Sequence, residues 1–281
     1  MKVIIAGCGY VGEPLRKLLV ARGHDVTGLT LNGSDSHTAC DITSLPAVEK
    51  LAVEVGVVDA VVHCASSGRG RGDRAQRYRA IYNGGCENLV GVFPSARLIF
   101  TSSTSVYAQT DGSIVDEESP AEPTVETGKI LRAAEQIAIA SGGCVARLGG
   151  IYGPGRSVLL KRFLLGEATI DGRWINQIHR DDAAAALGFL LENEAARGLF
   201  NVTDDTPLAQ QDCYEELARR FAKTVPPISE PDKNRSRGWT SKRVSNAKLR
   251  ALGWVPRYPA YYDALDRDAE LVPSIRAQLG D

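Results

Sequence analysis

The sequence predicts an α/β fold: a doubly wound parallel sheet followed by a smaller C-terminal lobe. Three observations predict it. Short apolar runs at residues 2–6, 57–65 and 98–101 lack the in-out alternation of a half-exposed sheet and read as strands buried on both faces, with a further strand at 144–151. Helical patterns separate these runs, as parallel strands joined by crossover helices require. The first run also passes directly into a glycine-rich turn and a helix, with Gly7, Gly9 and Gly12 spaced as G-x-G-x-x-G.

That turn is the most informative stretch of the chain. Gly7 makes the tight strand-to-helix turn, Gly9 lets a pyrophosphate approach the backbone, and Gly12 lets the helix pack closely on the strand. Free N–H groups and the positive dipole end of the helix then hold the phosphates. Tyr10 and Val11 lie inside the loop. The strand before and the helix after supply the context that the motif needs. A turn of a cofactor-free α/β sheet is the alternative reading.

Composition narrows the function classes. A chain of 281 residues suits one large domain, or one plus a small lobe. A dinucleotide-binding unit is expected over residues 1–152, completed by about 176–202, with residues 153–175 and 203–281 forming the lobe. The net charge of −1 argues against nucleic acid and membrane surfaces as partners, and no apolar run approaches a spanning length. The chain starts directly in a strand with no leader pattern, so a cytoplasmic protein is expected. The six scattered cysteines contain no C-x-x-C pair, which argues against zinc and against a disulfide framework.

Taken in order, residues 24–30 form the second strand, whose end should face the adenosine ribose. It offers Thr30 and no carboxylate, nor an Arg close by, which leans the choice between NAD and NADP slightly toward NADP. Asp41, followed by Ile42, is read as facing the adenine or as a turn cap. The strand at 57–65 ends in Ser66, Ser67 and Gly68, small residues that permit close approach of a cofactor. Arg69, Arg71, Arg74, Arg77 and Arg79 then crowd a loop and helix start, either as a solvated face or as an anion site. A helix over 74–93 carries Asn83. The strand at 98–101 delivers the hydroxyl-rich SSTSVY to its carboxyl end, where open α/β sheets bind ligands. Residues 109–123 read as a surface loop, 128–141 as a helix, and 144–151 as a strand ending in the YGPGR turn. A buried or half-buried helix over 183–192, a strand at 198–202 and a helix over 211–222 follow.

These features, in this order, resemble an extended but atypical short-chain dehydrogenase/reductase of the NAD-dependent epimerase/dehydratase type. The landmarks are GCGYVG, DAVVHCAS, Asn83 in YRAIYNGGCENL, TSSTSVY, the helix holding Lys129, ARLGGIYGPG, NQIHRDDAAAAL and LFNVTDD. The tail KRVSNAKLRALGWVPRYPAY resembles the end of the family's substrate lobe. The resemblance implies a Rossmann-type sheet, a small-molecule substrate such as a sugar nucleotide or another hydroxy or carbonyl compound, and catalysis by Ser, Tyr and Lys. It places Ser103 and Lys129 in catalysis. Cofactor contacts are expected at Gly7, Gly9, Tyr10, Val11, Gly12, Thr30, Asp41, Ile42, Cys64, Ala65, Ser66, Asn83 and Lys129. Helices over 74–93 and 128–141 correspond to the dimer interface of many relatives, so a homodimer is a further expectation.

Two departures stand out. The position four before Lys129, tyrosine in the family, is Val125, which cannot transfer a proton, and the glycine spacing differs from the G-x-x-G-x-x-G of most extended members. Tyr107, Tyr152 and His179 are the candidates for a replacement acid/base. A non-catalytic cofactor sensor is the rival reading. Arg156, Lys242 and Arg243 are candidate anion contacts for the substrate.

Overall fold

The computed structural model describes residues 1–68, 72–232 and 238–280. Seven parallel strands form the main sheet: β1 (Lys2–Ala6), β2 (Asp25–Thr30), β3 (Thr38–Ala39), β4 (Ala60–His63), β5 (Arg97–Ser103), β6 (Cys144–Leu148) and β7 (Gly198–Val202). Their spatial order is β7-β6-β5-β4-β1-β2-β3, with every pairing parallel. The chain therefore winds outward in both directions from β1. The gap between the carboxyl ends of β1 and β4 is the switch point at which such sheets take ligands.

Alternation along β1 explains the layers. Val3 and Ile5 point to one side and Ile4 and Ala6 to the other, and all four are completely buried. On the first side they meet Leu15 and Leu19 of α1 (Gly12–Ala21) and Leu187 and Leu190 of the helix Arg180–Glu192. On the second they meet Val48 and Leu51 of α2 (Leu45–Val55), Leu89 of α3 (Gly85–Val92), and Ile130, Ala134 and Ala138 of α4 (Glu126–Ala140). The helix Arg180–Glu192 is α5. The leucines of α1 and the Ile130/Ala134/Ala138 stripe of α4 recur at helical spacing, so each helix has one apolar face to bury. The doubly wound parallel sheet expected from the sequence is present.

A third apolar cluster stands apart from these two. It joins Tyr152, Leu160, Phe163 and Ile170 to Leu217, Tyr261, Leu271 and Ile275. Among the described residues, no helix is long and apolar enough to cross a membrane.

The structure corrects several boundaries. The run at 144–151 is two strands: β6 stops at Leu148, and Gly150–Tyr152 leaves the sheet to pair in parallel with Gln177–His179. Gly149 permits the break, because a Cβ there would lie 3.1 Å from Thr203 Cγ2 and 3.2 Å from Asn176 O. The loop at 109–123 contains Ile114–Val115, which pairs with Arg243–Val244, and Val115 is buried. Periodicity cannot show a two-residue strand whose partner lies so far along the chain. The helix over 74–93 is interrupted at Arg79–Gly84 by a π-helical turn, and Asn83 lies in it. Such turns recur at functional sites.

Candidate active site

The glycine loop is held at three points. Gly7 N and Cys8 N both donate to Leu29 O, at 3.1 and 2.9 Å, tying the loop to β2. Gly7 has φ +100°, and a Cβ on it would lie 2.4 Å from Ala65 Cα. A Cβ on Gly12 would lie 2.2 Å from Gly7 O. Gly9 differs: nothing lies within 4 Å of where its Cβ would be. Its open face is what a pyrophosphate needs to reach the backbone at the start of α1, so the loop fits a dinucleotide.

Several of the other predicted cofactor residues lie at the same edge of the sheet. Ala65 touches Gly7, and Cys64 N donates to Ala6 O at 2.8 Å, which carries β4 up to the loop. Ser66 is exposed just beyond. Cys40 N donates to Thr30 O at 2.9 Å, so Thr30 and Asp41 lie together at the end of β2. Asp41 Oδ1 accepts from Thr43 N at 3.0 Å and Thr43 Oγ1 at 2.8 Å, the turn-cap alternative. Ile42 is buried against Gly85 and accepts a hydrogen bond from Asn88 through its main-chain oxygen. Asn83 Oδ1 is buried without a hydrogen-bond partner, an oriented polar atom that a ligand can satisfy. Tyr10 donates to Pro154 O at 3.0 Å, with the guanidinium groups of Arg156 and Arg180 5.2 and 5.5 Å from its ring centre. Val11 is half-buried against the α1 and α5 side of the core.

Cys8, Glu13 and His37 present ligating atoms within 4.8 Å of one another. Glu13, however, is already committed to Arg16, through bonds of 2.8 and 2.9 Å, and to His37 Nε2 at 2.9 Å. The Arg16 bonds above all hold the Glu13 carboxyl down at about 2. Burial pushes the Cys8 thiol up to about 11. A protonated thiol and an arginine-paired carboxylate make a poor metal centre.

A cleft of about 190 Å³ opens at the carboxyl ends of β5 and β6. Its lining brings together Ser103, Thr104, Ser105, Gly149 and Gly150 with Arg173, Trp174, Asn176, Gly238, Thr240 and Lys242. Ser103 Oγ accepts from Ser105 N at 3.2 Å, which leaves its own proton to donate. Val125 caps α4 at the rim, its Cγ1 3.6 Å from where a Cβ on Gly238 would be. Lys129 is exposed one turn into α4. The distant segments are bound to each other: Asn176 donates to Lys242 O at 2.8 Å and accepts from Val244 N at 2.6 Å, and Trp174 N donates to Ser241 Oγ at 3.2 Å.

Behind the serines lies a buried ionic network. Ser102 donates to Glu135 Oε1 at 2.6 Å, and Arg147 holds the same carboxylate with two bonds of 2.9 and 2.7 Å. Arg132 adds a third cationic contact. Glu135 and Arg147 are both almost fully buried, so this fork joins α4 to β5 and β6.

The three candidate replacement acids are all turned away from the cleft lining. The Tyr107 hydroxyl faces Asp116 O at 2.7 Å and Asn201 Oδ1 at 2.9 Å, and burial raises its pKa. Tyr152 is buried between His179 and Tyr261 in the third cluster, with its phenol pushed far up by burial. His179 caps α5 through Asp181 N and bonds Asp268 at 3.0 Å. Its pKa is lowered, by burial first. The described arginines of the basic run are engaged locally: Arg79 with Glu126 at 2.7 Å, Arg77 with Gly72 O, and Arg74 with Tyr78. Arg69 and Arg71 lie outside the described residues.

Lys242 is the lining residue whose setting the sequence hid. It is only 5% exposed, and its Nζ donates to Tyr107 O at 2.9 Å and Thr240 Oγ1 at 2.8 Å. Burial lowers its pKa to about 8. In the sequence Lys242 is a candidate anion contact, and no local pattern signals that the tail folds back over β5.

With this geometry in place, the model of the NAD-dependent epimerase/dehydratase family matches residues 3–203. The chain belongs to that family. A relative in a Streptomyces species, 3-diazoavenalumate denitrifying reductase, is 30% identical over 95% of this chain and 100% of its own length. A structure from Methylobacillus flagellatus, solved as a candidate NAD-dependent epimerase/dehydratase, is 29% identical and covers 98% of both chains with a TM-score of 0.78. The human epimerase family protein SDR39U1, solved with NADPH, shares the fold at 19% identity and a TM-score of 0.78, covering 96% of this chain and 99% of its own.

Proposed function

We propose that the protein is an NAD(P)-dependent oxidoreductase of the epimerase/dehydratase type, acting on a small hydroxy or carbonyl compound through an active site that lacks the family phenol. The observation that carries this reading is the polar cleft beside Ser103, at the same sheet edge as the glycine loop. Gly7, Gly9 and Gly12 form the phosphate cradle. Thr30, Asp41 and Ile42 flank the adenosine end, Cys64 to Ser66 and Asn83 the middle, and Lys129 the nicotinamide ribose. The bound dinucleotide supplies hydride exchange at its nicotinamide. The chain's own part is to orient the reacting oxygen with the Ser103 hydroxyl and to exclude bulk water with the segments around Trp174 and Lys242. The third apolar cluster is the core of the substrate lobe formed by residues 153–175 and 203–281.

The end of β2 offers Thr30 rather than a carboxylate, which favours NADP over NAD. A thermal shift series with NAD, NADH, NADP and NADPH tests the reading. A ligand at a hundred times its dissociation constant stabilises the fold by about 2.7 kcal/mol, and the NADP pair should give the larger shifts. No shift with any of the four overturns it. Val125 supports a second reading, a sensor that binds cofactor without turning it over. Tight binding with no turnover across a broad carbonyl panel would favour that one.

A further inference from the structure

We propose that Lys242 exchanges the proton with the substrate oxygen, in place of the phenol that Val125 cannot supply. The proposal rests on the oxidoreductase reading above and goes beyond it in naming the acid.

Three observations carry it. Lys242 lines the cleft together with Ser103, Thr104 and Ser105, the turn that presents the orienting hydroxyl. Its ammonium is held by two acceptors, Tyr107 O and Thr240 Oγ1. An ammonium has three N–H bonds, so these two acceptors leave one uncommitted among the described residues. Finally, Lys242 is buried and forms no ion pair among the described residues, whereas buried lysines are almost always paired. The charged neighbours do not neutralise it. Arg173 of the lining is a cation held by Asp171 at 3.4 Å, and Arg243 donates to Gly112 O and stacks on Trp174. The titratable phenol of Tyr107 points the other way, to Asn201 and Asp116. Burial without a counter-charge brings Lys242 to about 8, close to where a general acid and base works best near neutrality.

The step balances. In reduction, the carbonyl carbon gains hydride from the reduced nicotinamide cofactor, and the C–O π pair moves onto oxygen. That oxygen takes a proton from Lys242 Nζ, while the Ser103 hydroxyl donates a second hydrogen bond to it. The products are the alcohol, the oxidised cofactor and a neutral Lys242 amine, which regains its proton from water at the cleft mouth. Oxidation runs the same transfers backwards.

The rival explanation is a strut: Lys242 merely ties Thr240 to Tyr107. Arginine and methionine separate the two, because Arg can keep the bonds yet cannot give up a proton near neutrality. NADPH oxidation is followed with 9,10-phenanthrenequinone, 4-nitrobenzaldehyde and diacetyl as carbonyl probes, and NADPH affinity by its fluorescence. The proposal expects kcat to fall about 100-fold or more in both Lys242→Met and Lys242→Arg, with NADPH affinity kept within about twofold. Wild-type kcat for reduction should fall as pH rises through about 8. Competitive acetylation of the wild-type protein, read by mass spectrometry, should give Lys242 a midpoint near 8 without reference to turnover. Full activity in Lys242→Arg, or a Lys242 midpoint above about 10, overturns the proposal. A protein that binds NADPH yet reduces none of the probes also overturns it. One that binds no dinucleotide overturns instead the reading on which it rests.

Discussion

Gly7 and Ala65 are in backbone contact across the switch point of the sheet, so close that a methyl group on Gly7 would lie 2.4 Å from Ala65 Cα. Gly9, two residues on, faces open space. The two glycines therefore fail differently. Gly7→Ala must move backbone and adopt φ near +100° with a Cβ, a destabilisation of about 1–3 kcal/mol. Gly9→Ala should fold with an unchanged melting temperature and lose affinity for its nicotinamide dinucleotide, about tenfold or more, because its methyl occupies the phosphate approach. Calorimetry and cofactor titration of the two variants check the contrast.

Glu135 and Arg147 lie behind the serine turn with no exposed charge between them. Removing one partner leaves the other buried and uncompensated, so Glu135→Ala should cost about 3–5 kcal/mol. The double change Glu135→Leu with Arg147→Met should recover much of that loss, since an apolar pair of similar volume carries no desolvation penalty. Urea unfolding of the three variants measures this. Activity should remain low in the double variant, because Ser102 loses its acceptor and the turn leading to Ser103 loses its anchor.

The parts of this molecule legible in the sequence are those written locally. Gly7, Gly9 and Gly12 carry their conformational requirements within one turn, and the fully apolar β1 and β4 announce burial on both faces. Lys242 is legible only as a candidate anion contact. Its burial follows from Arg243–Val244 pairing with Ile114–Val115, a contact between segments far apart in the chain that no periodicity records. Tyr107 and His179 failed as acid/base candidates for a similar reason: residue type named them, but Asn201 and Asp268, distant partners, fix where they point.

Lys242 also makes a prediction about stability. Its pKa falls from 10.5 in the unfolded chain to about 8 in the fold, so the unfolded state binds the proton more tightly. The fold is penalised below pH 8 by about 3 kcal/mol and recovers as pH rises from 8 to 10.5. Lys242→Met removes that penalty and loses two hydrogen bonds worth about 1 kcal/mol each. At pH 7 the variant should be the more stable protein by about 1 kcal/mol, and above pH 10.5 the wild type should be. A crossing of the two stability curves in guanidinium titrations at several pH values checks the sign. Parallel curves would place the titrating group elsewhere.

Val125 gives the last prediction. It caps α4 at the rim of the cleft, half-buried, one helical turn before Lys129. A phenol there would have Lys129 as the neighbouring cation needed to bring a pKa near 10 toward neutrality. Val125→Tyr should therefore restore reduction of a carbonyl probe to Lys242→Met, by about tenfold over that variant alone, because either group can then deliver the proton. In the wild-type background the same change should add less than about threefold, since Lys242 already fills the role. The diagnostic quantity is this non-additivity across the double-mutant cycle. Equal gains in both backgrounds would mean that the two residues do not share a task.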